Sequence, residues 1–117
     1  MADKSYIKVP ISKIHDLPGI SIEKQNDKAY SSLVSSIVTQ GIQEPLILRQ
    51  REDGEYQLVS GYRRRRAAQL AKLSELPAVV YDLGEKEAVD YYKASRAQPD
   101  LPVPGKIIDQ TEDKKNK

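Results

Sequence analysis

The sequence predicts a small α/β (α+β) domain, a mixed β-sheet with helices packed on it. Three observations carry that expectation. Segments with strand-like and helix-like spacing of apolar residues follow one another as strand, helix, strand, strand, helix, strand, helix. An Asp53-Gly54 pair, a hairpin turn signal, lies between two of the strand segments. Gly61 separates the second of those strands from a helix that opens on four consecutive arginines.

Residues 1–5 read as a flexible end, 6–10 as a short strand and 11–14 as a turn. Residues 17–27 read as loop, because Pro18 and Gly19 interrupt any regular element. Residues 29–40 are the clearest helix, with Tyr30, Leu33, Val34, Ile37 and Val38 at helical spacing. Asp27 is the expected N-cap and Gly41 the expected left-handed stop. Strands follow at 46–49 and 56–60, then a helix over 62–73. Pro77 is expected to close a loop before a strand at 78–81, and 85–96 to form the last helix. Residues 6–97 thus form the expected domain. Residues 98–117 read as a Pro-rich spacer and a charged, disordered tail, with Ile107-Ile108 a short apolar exception.

Composition narrows the function classes. A chain of 117 residues has room for one domain. It has no Cys, which excludes disulfides, thiolate metal sites and a Cys nucleophile. No apolar run approaches the ~20 residues of a membrane helix, so the expectation is no membrane association and a cytoplasmic location. Net charge is only +2, so positive charge is local, in Arg63, Arg64, Arg65 and Arg66.

That run begins where a strand ends, a glycine intervenes and a helix starts. The first turn of a helix offers backbone N–H groups and the positive end of the helix dipole, which together suit phosphate. Gly61 lets backbone approach a ligand, and Ser60 adds a hydroxyl. At roughly 100° per residue, Arg63 and Arg64 fall on the edges of the face defined by Ala67, Ala68, Leu70 and Ala71. Arg65 falls opposite, as a surface residue, and Arg66 in between. Two guanidiniums beside a buried stripe call for an anionic partner, and their planar forks match phosphate oxygens. Two plainer readings remain open: pairing with the chain's 17 acidic residues, or direct contact with DNA phosphates.

Two stretches resemble the ParB/sulfiredoxin superfamily, in particular the ParB N-terminal domain. Gly41-Ile42-Gln43-Glu44-Pro45-Leu46-Ile47-Leu48-Arg49 is similar to the family's first box. Tyr56-Gln57-Leu58-Val59-Ser60-Gly61-Tyr62-Arg63-Arg64-Arg65-Arg66-Ala67-Ala68 is similar to its second. Val9-Pro10-Ile11-Ser12-Lys13-Ile14 looks like the opening strand and turn. The resemblance implies a domain that binds CTP or another nucleoside triphosphate, with magnesium left open. It places Ser60, Gly61, Tyr62, Arg63 and Arg64 at the phosphates, and Gly41 and Gln43 near the nucleoside; Arg66, in the same run, is a further expected phosphate contact. It also implies DNA as a partner through a dimer or another domain, a homodimeric clamp, and a ParA-type ATPase as a companion.

Three departures matter. Tyr62 stands where chromosomal ParB proteins often carry Glu. The third family box, E-N-x-Q-R, supplies magnesium and hydrolysis residues, and here the corresponding helix reads Ala88-Val89-Asp90-Tyr91-Tyr92-Lys93-Ala94-Ser95-Arg96. Asp90 and Arg96 are at best remnants. No helix-turn-helix follows, so site-specific DNA reading is not expected here, and the chain reads as a fragment or a stand-alone relative.

The expected function is a nucleotide-binding switch in DNA partition or transcription, with weak or absent hydrolysis. An enzyme on the same fold (NTPase, kinase or nuclease) is the second reading, and a direct binder of DNA phosphate the third. No residue stands out as catalytic or as a metal ligand. Glu23, Asp27 and Glu44 are undistinguished candidates for a general base. His15 is expected in a loop or on the surface, and Tyr91 and Tyr92 in the core or a dimer surface. Without a Cys, sulfiredoxin catalysis is excluded.

Overall fold

The computed structural model describes residues 6–20, 27–42 and 44–108. The expectations for residues 1–5, Glu23, Gln43 and the tail from 109 lie outside the described residues.

The chain runs β1 (Ile7–Pro10), a 3-10 turn (Ile11–Lys13), β2 (Ile14–His15), a 3-10 turn (Asp27–Tyr30), α1 (Ser31–Gln40), β3 (Leu46–Gln50), β4 (Tyr56–Ser60), α2 (Tyr62–Leu70), β5 (Glu75–Asp82), α3 (Glu85–Ala97) and β6 (Lys106–Ile107). The strands make one mixed sheet in the order β1-β5-β3-β4-β2, with β6 also on β5. β3 and β4 are an antiparallel hairpin, whose turn is tightened by the Asp53 carboxylate accepting the Glu55 N–H at 3.0 Å. β5 runs parallel to β3, pairing Leu46 with Ala78 through Arg49 with Tyr81.

Period-2 alternation divides the core into two. Leu46, Leu48, Leu58, Leu76, Ala78 and Val80 are fully buried on one side with Val9 and with Ala68 of α2. Val59 faces the other side with Leu83 and with Ala88, Tyr91 and Tyr92 of α3. A polar seam fixes α3 to the sheet. Buried Gln57 accepts a hydrogen bond from Arg49 and donates to Glu85 at 3.0 Å, while Arg49 Nε donates to the Leu83 carbonyl at 2.9 Å.

Several local expectations are corrected. Pro77 lies inside β5, opposite Lys8 of β1 and one residue before the ladder with β3 begins, so its missing N–H costs no bond to β3. Ile14, expected in the turn, and His15, expected in a loop or on the surface, form β2 beside β4. Asp27 does not cap α1, which is entered through the 3-10 turn; Asp27 pairs with Arg66 instead. Gly41 does stop α1 with positive φ, its N–H on the Ile37 carbonyl at 2.8 Å. α2 ends at Leu70, not 73. Leu73 N–H reaches Ala68 O and Lys72 N–H reaches Gln69 O, a Schellman closure with Lys72 at φ 66. Ile107 and Ile108 return to the sheet: β6 pairs with Tyr81 and Asp82, and Ile108 N–H donates to Val80 O at 2.7 Å.

Candidate functional site

Strand β4, Gly61 and α2 place the arginine run between α1 and α3. The first intrahelical bond of α2 runs from Arg65 N–H to Gly61 O at 2.9 Å. The amides of Gly61, Tyr62, Arg63 and Arg64 therefore have no partner within the helix, and the N-cap residue, a glycine, has no side chain to cap them. Gly61 sits at φ 115 and ψ 25. A Cβ there would lie 2.4 Å from Leu46 Cδ2 and 3.2 Å from Arg64 Nη2. Glycine is thus required by the core and by the guanidinium that folds back over it, as well as by the backbone angle.

Among the described residues, two cavities flank this turn and share Arg63 and Arg64 as a wall. One, of about 620 Å³, lies against α1 and is lined by Leu33, Ile37, Gly41, Ile42 and Glu44 among others. The other, of about 270 Å³, lies against α3 and is lined by Ser60, Gly61, Tyr62, Tyr92, Ser95 and Arg96. Ser60, Gly61, Tyr62, Arg63 and Arg64 are thus brought together, with Gly41 across the larger cavity.

The four arginines divide. Arg63 lies over the Tyr30 ring at 5.2 Å. Arg64 is half-buried; its Nη2 donates to Pro45 O at 3.3 Å, its Nη1 is 3.5 Å from the Glu44 carboxylate, and its buried Nε has no hydrogen-bond partner. Burial pulls the Arg64 pKa down from its usual value, opposed by Glu44. Arg65, expected on the surface, is the more enclosed side chain: 15% exposed against 27% for Arg64. It pairs with Asp16 and stacks on Tyr62. Helical phase alone put it outward; the loop around Asp16 covers that side. Arg66 lines neither cavity and pairs with Asp27 at 2.9 Å.

Tyr62 turns its side chain inward. Its hydroxyl donates to Leu58 O at 2.7 Å and accepts the Leu17 N–H at 3.1 Å, and burial pushes its pKa up to about 12. The hydroxyl is thus engaged within the fold, and the Tyr62 amide lies in the first turn of α2. Its ring meets Tyr92 edge to face at 5.5 Å. Tyr92 in turn accepts a hydrogen bond from Arg96 at 2.9 Å. Arg96 and Ser95 are the site residues that sequence reasoning did not assign; their signal was the spacing from Tyr92, at i+3 and i+4, once Tyr92 is known to face the turn. Asp90 stands roughly 200° around α3 from Tyr92, lines neither cavity and lies 3.3 Å from Lys86. His15 pairs with Glu55 away from the turn. Among the described residues no group of three or more His, Cys, Asp or Glu is arranged to hold a metal ion. No helix among them is long and apolar enough to cross a membrane.

This mixed sheet, with α2 starting at a glycine after β4, is the ParB/sulfiredoxin fold. Sulfiredoxin from Arabidopsis thaliana shares it at TM-score 0.62 and 23% identity, over 75% of this chain and 96% of that one. The family model of the ParB N-terminal domain matches residues 2–95, and the chain belongs to that family. The chromosome-partitioning protein Spo0J of Thermus thermophilus is 38% identical over 84 residues, 72% of this chain and 31% of that protein. C-terminally truncated chromosome-partitioning protein ParB from Caulobacter crescentus superimposes at TM-score 0.68 in complex with CTP-γ-S, with 27% identity over 83% of this chain and 54% of that one. In complex with the centromeric parS site the same protein gives 0.65, with 28% identity over 81% and 49%. The chain spans about a third or less of the length of the curated relatives it matches.

Proposed function

We propose that this domain binds CTP or a related nucleoside triphosphate and acts as a nucleotide-controlled switch in DNA partition or transcription. The phosphates lie on the Gly61-Tyr62-Arg63-Arg64 turn, with Ser60 beside them. The nucleoside extends into the larger cavity past Gly41. Gln43 stays a candidate for the base pocket on sequence grounds, and Arg66 acts only through its charge, behind its pair with Asp27. The observation that carries this reading is Arg64: a half-buried guanidinium at a helix start, between two cavities, with Nε unsatisfied. A buried cation short of partners is costly, and a phosphate oxygen at that point would relieve it. The complex of Caulobacter ParB with CTP-γ-S supports a nucleotide as the anion, and its parS complex supports DNA as the partner. Dimerisation and a ParA-type ATPase belong to the same proposal. Hydrolysis is weak or absent, because Asp90 points away from the turn.

Calorimetric titration with CTP, ATP and GTP tests this. Arg64→Ala is expected to weaken triphosphate binding by about 1.5–3 kcal/mol, roughly ten- to 150-fold. Unchanged affinity in a folded Arg64→Ala variant would remove the site from this turn. DNA binding without nucleotide, with a steep salt dependence, would favour direct phosphate-backbone contact instead.

A further inference from the structure

The smaller cavity has an unusual lining for a triphosphate site. Among the described residues that line it none is acidic; it brings Arg63, Arg64 and Arg96 together with the hydroxyl residues Ser60, Tyr92 and Ser95. A divalent cation such as magnesium needs carboxylate, carbonyl or phosphate oxygens around it, and gains nothing from three guanidiniums. Four carboxylates of the neighbouring elements are paired elsewhere: Asp90 on Lys86, Asp16 on Arg65, Asp27 on Arg66, and Glu44 beside Arg64 on the larger cavity. Among the described residues, then, nothing fits the magnesium site implied by the family's third box.

We infer that this cavity takes the phosphate chain of a nucleotide without a divalent cation, Arg96 supplying the positive charge a metal would bring. Arg96 is built to stand there. It lies in the last turn of α3, where the helix dipole favours a cation. Its Nη1 is held by the Tyr92 hydroxyl, and Tyr92 is itself buried and packed edge to face on Tyr62, one residue from Gly61. The aromatic pair thus ties the guanidinium of α3 to the start of α2. A guanidinium held this way loses little further freedom when it meets a phosphate oxygen.

The inference rests on the nucleotide reading above, and its test separates the two. CTP is titrated into the protein in EDTA and again in magnesium, for the native chain and for Arg96→Ala. The expected result is native affinity that agrees within about threefold between the two buffers, and a loss of at least about tenfold for Arg96→Ala in both. Arg96 is exposed, so the variant should melt as the native chain does, which thermal unfolding checks. Binding of CTP only in magnesium, or native affinity in Arg96→Ala, overturns this inference and leaves the nucleotide site standing. Binding of no triphosphate in either buffer overturns the nucleotide reading itself.

Discussion

The two cavities beside the Gly61-Tyr62-Arg63-Arg64 turn share a wall but differ in their other sides. Against α3 the wall is stiff: Ala88, Tyr91 and Tyr92 are buried, Tyr91 donates to Leu101 O at 2.9 Å, and the Tyr62–Tyr92 contact joins both helices. Against α1 the wall is light. Ile37 is the buried residue of that helix, Val38 is 67% exposed, and α1 makes its main contacts with α2 and the preceding 3-10 turn. The smaller cavity, with the larger polar share of its lining, thus has the firmer wall, and the larger, more apolar one the lighter. Rigid charge placement suits phosphate, whose geometry is constant, and an adjustable apolar wall suits a base.

The most severe way to break this arrangement is Gly61→Ala. A left-handed alanine and a methyl driven into Leu46 should together cost about 2–6 kcal/mol, read as a lower urea midpoint. Stability within about 1 kcal/mol of native would mean that the turn relaxes easily. Next comes the contrast between neighbours. Arg64→Ala should lose affinity with little loss of stability, whereas Arg65→Ala should lose about 1 kcal/mol of stability, through packing on Tyr62, with affinity kept. Equal losses of affinity in both would mean that diffuse charge, not a defined pocket, holds the anion.

Tyr62→Phe probes the stiff wall. Removing the hydroxyl strips partners from Leu17 N–H and Leu58 O and should cost about 1–2 kcal/mol. The pH dependence has a definite sign. The folded phenol titrates at about 12, above its ordinary value of 10.0, so the unfolded chain releases that proton first. The contribution is therefore complete below pH 10 and is lost as pH rises towards 12. The difference in stability between native and Tyr62→Phe should stay level at neutral pH and shrink across that alkaline window. The smallest effect is a gain: Lys72→Gly should add about 0.5–1 kcal/mol by relieving a left-handed lysine at the end of α2. It should leave both cavities untouched, seen as a higher melting temperature at unchanged CTP affinity.

Much of this molecule is legible in the chain itself. Helix α1, the β3–β4 hairpin and the strand-glycine-helix corner follow from local signals: apolar spacing, Asp53-Gly54 and Gly61. These depend on residues close in sequence, so the sequence determined them. It also determined which four arginines cluster and that the cluster meets a helix start. Tertiary structure alone decided which arginine is which. Arg65 turns inward because Asp16, 49 positions away, closes over it, and Arg96 joins the site because Tyr92 meets Tyr62. Strand β2, Pro77 within β5 and the return of Ile107 were decided the same way, by partners far along the chain. A side chain's phase on its own helix is a local property; what covers or completes it depends on segments that only the folded chain brings together.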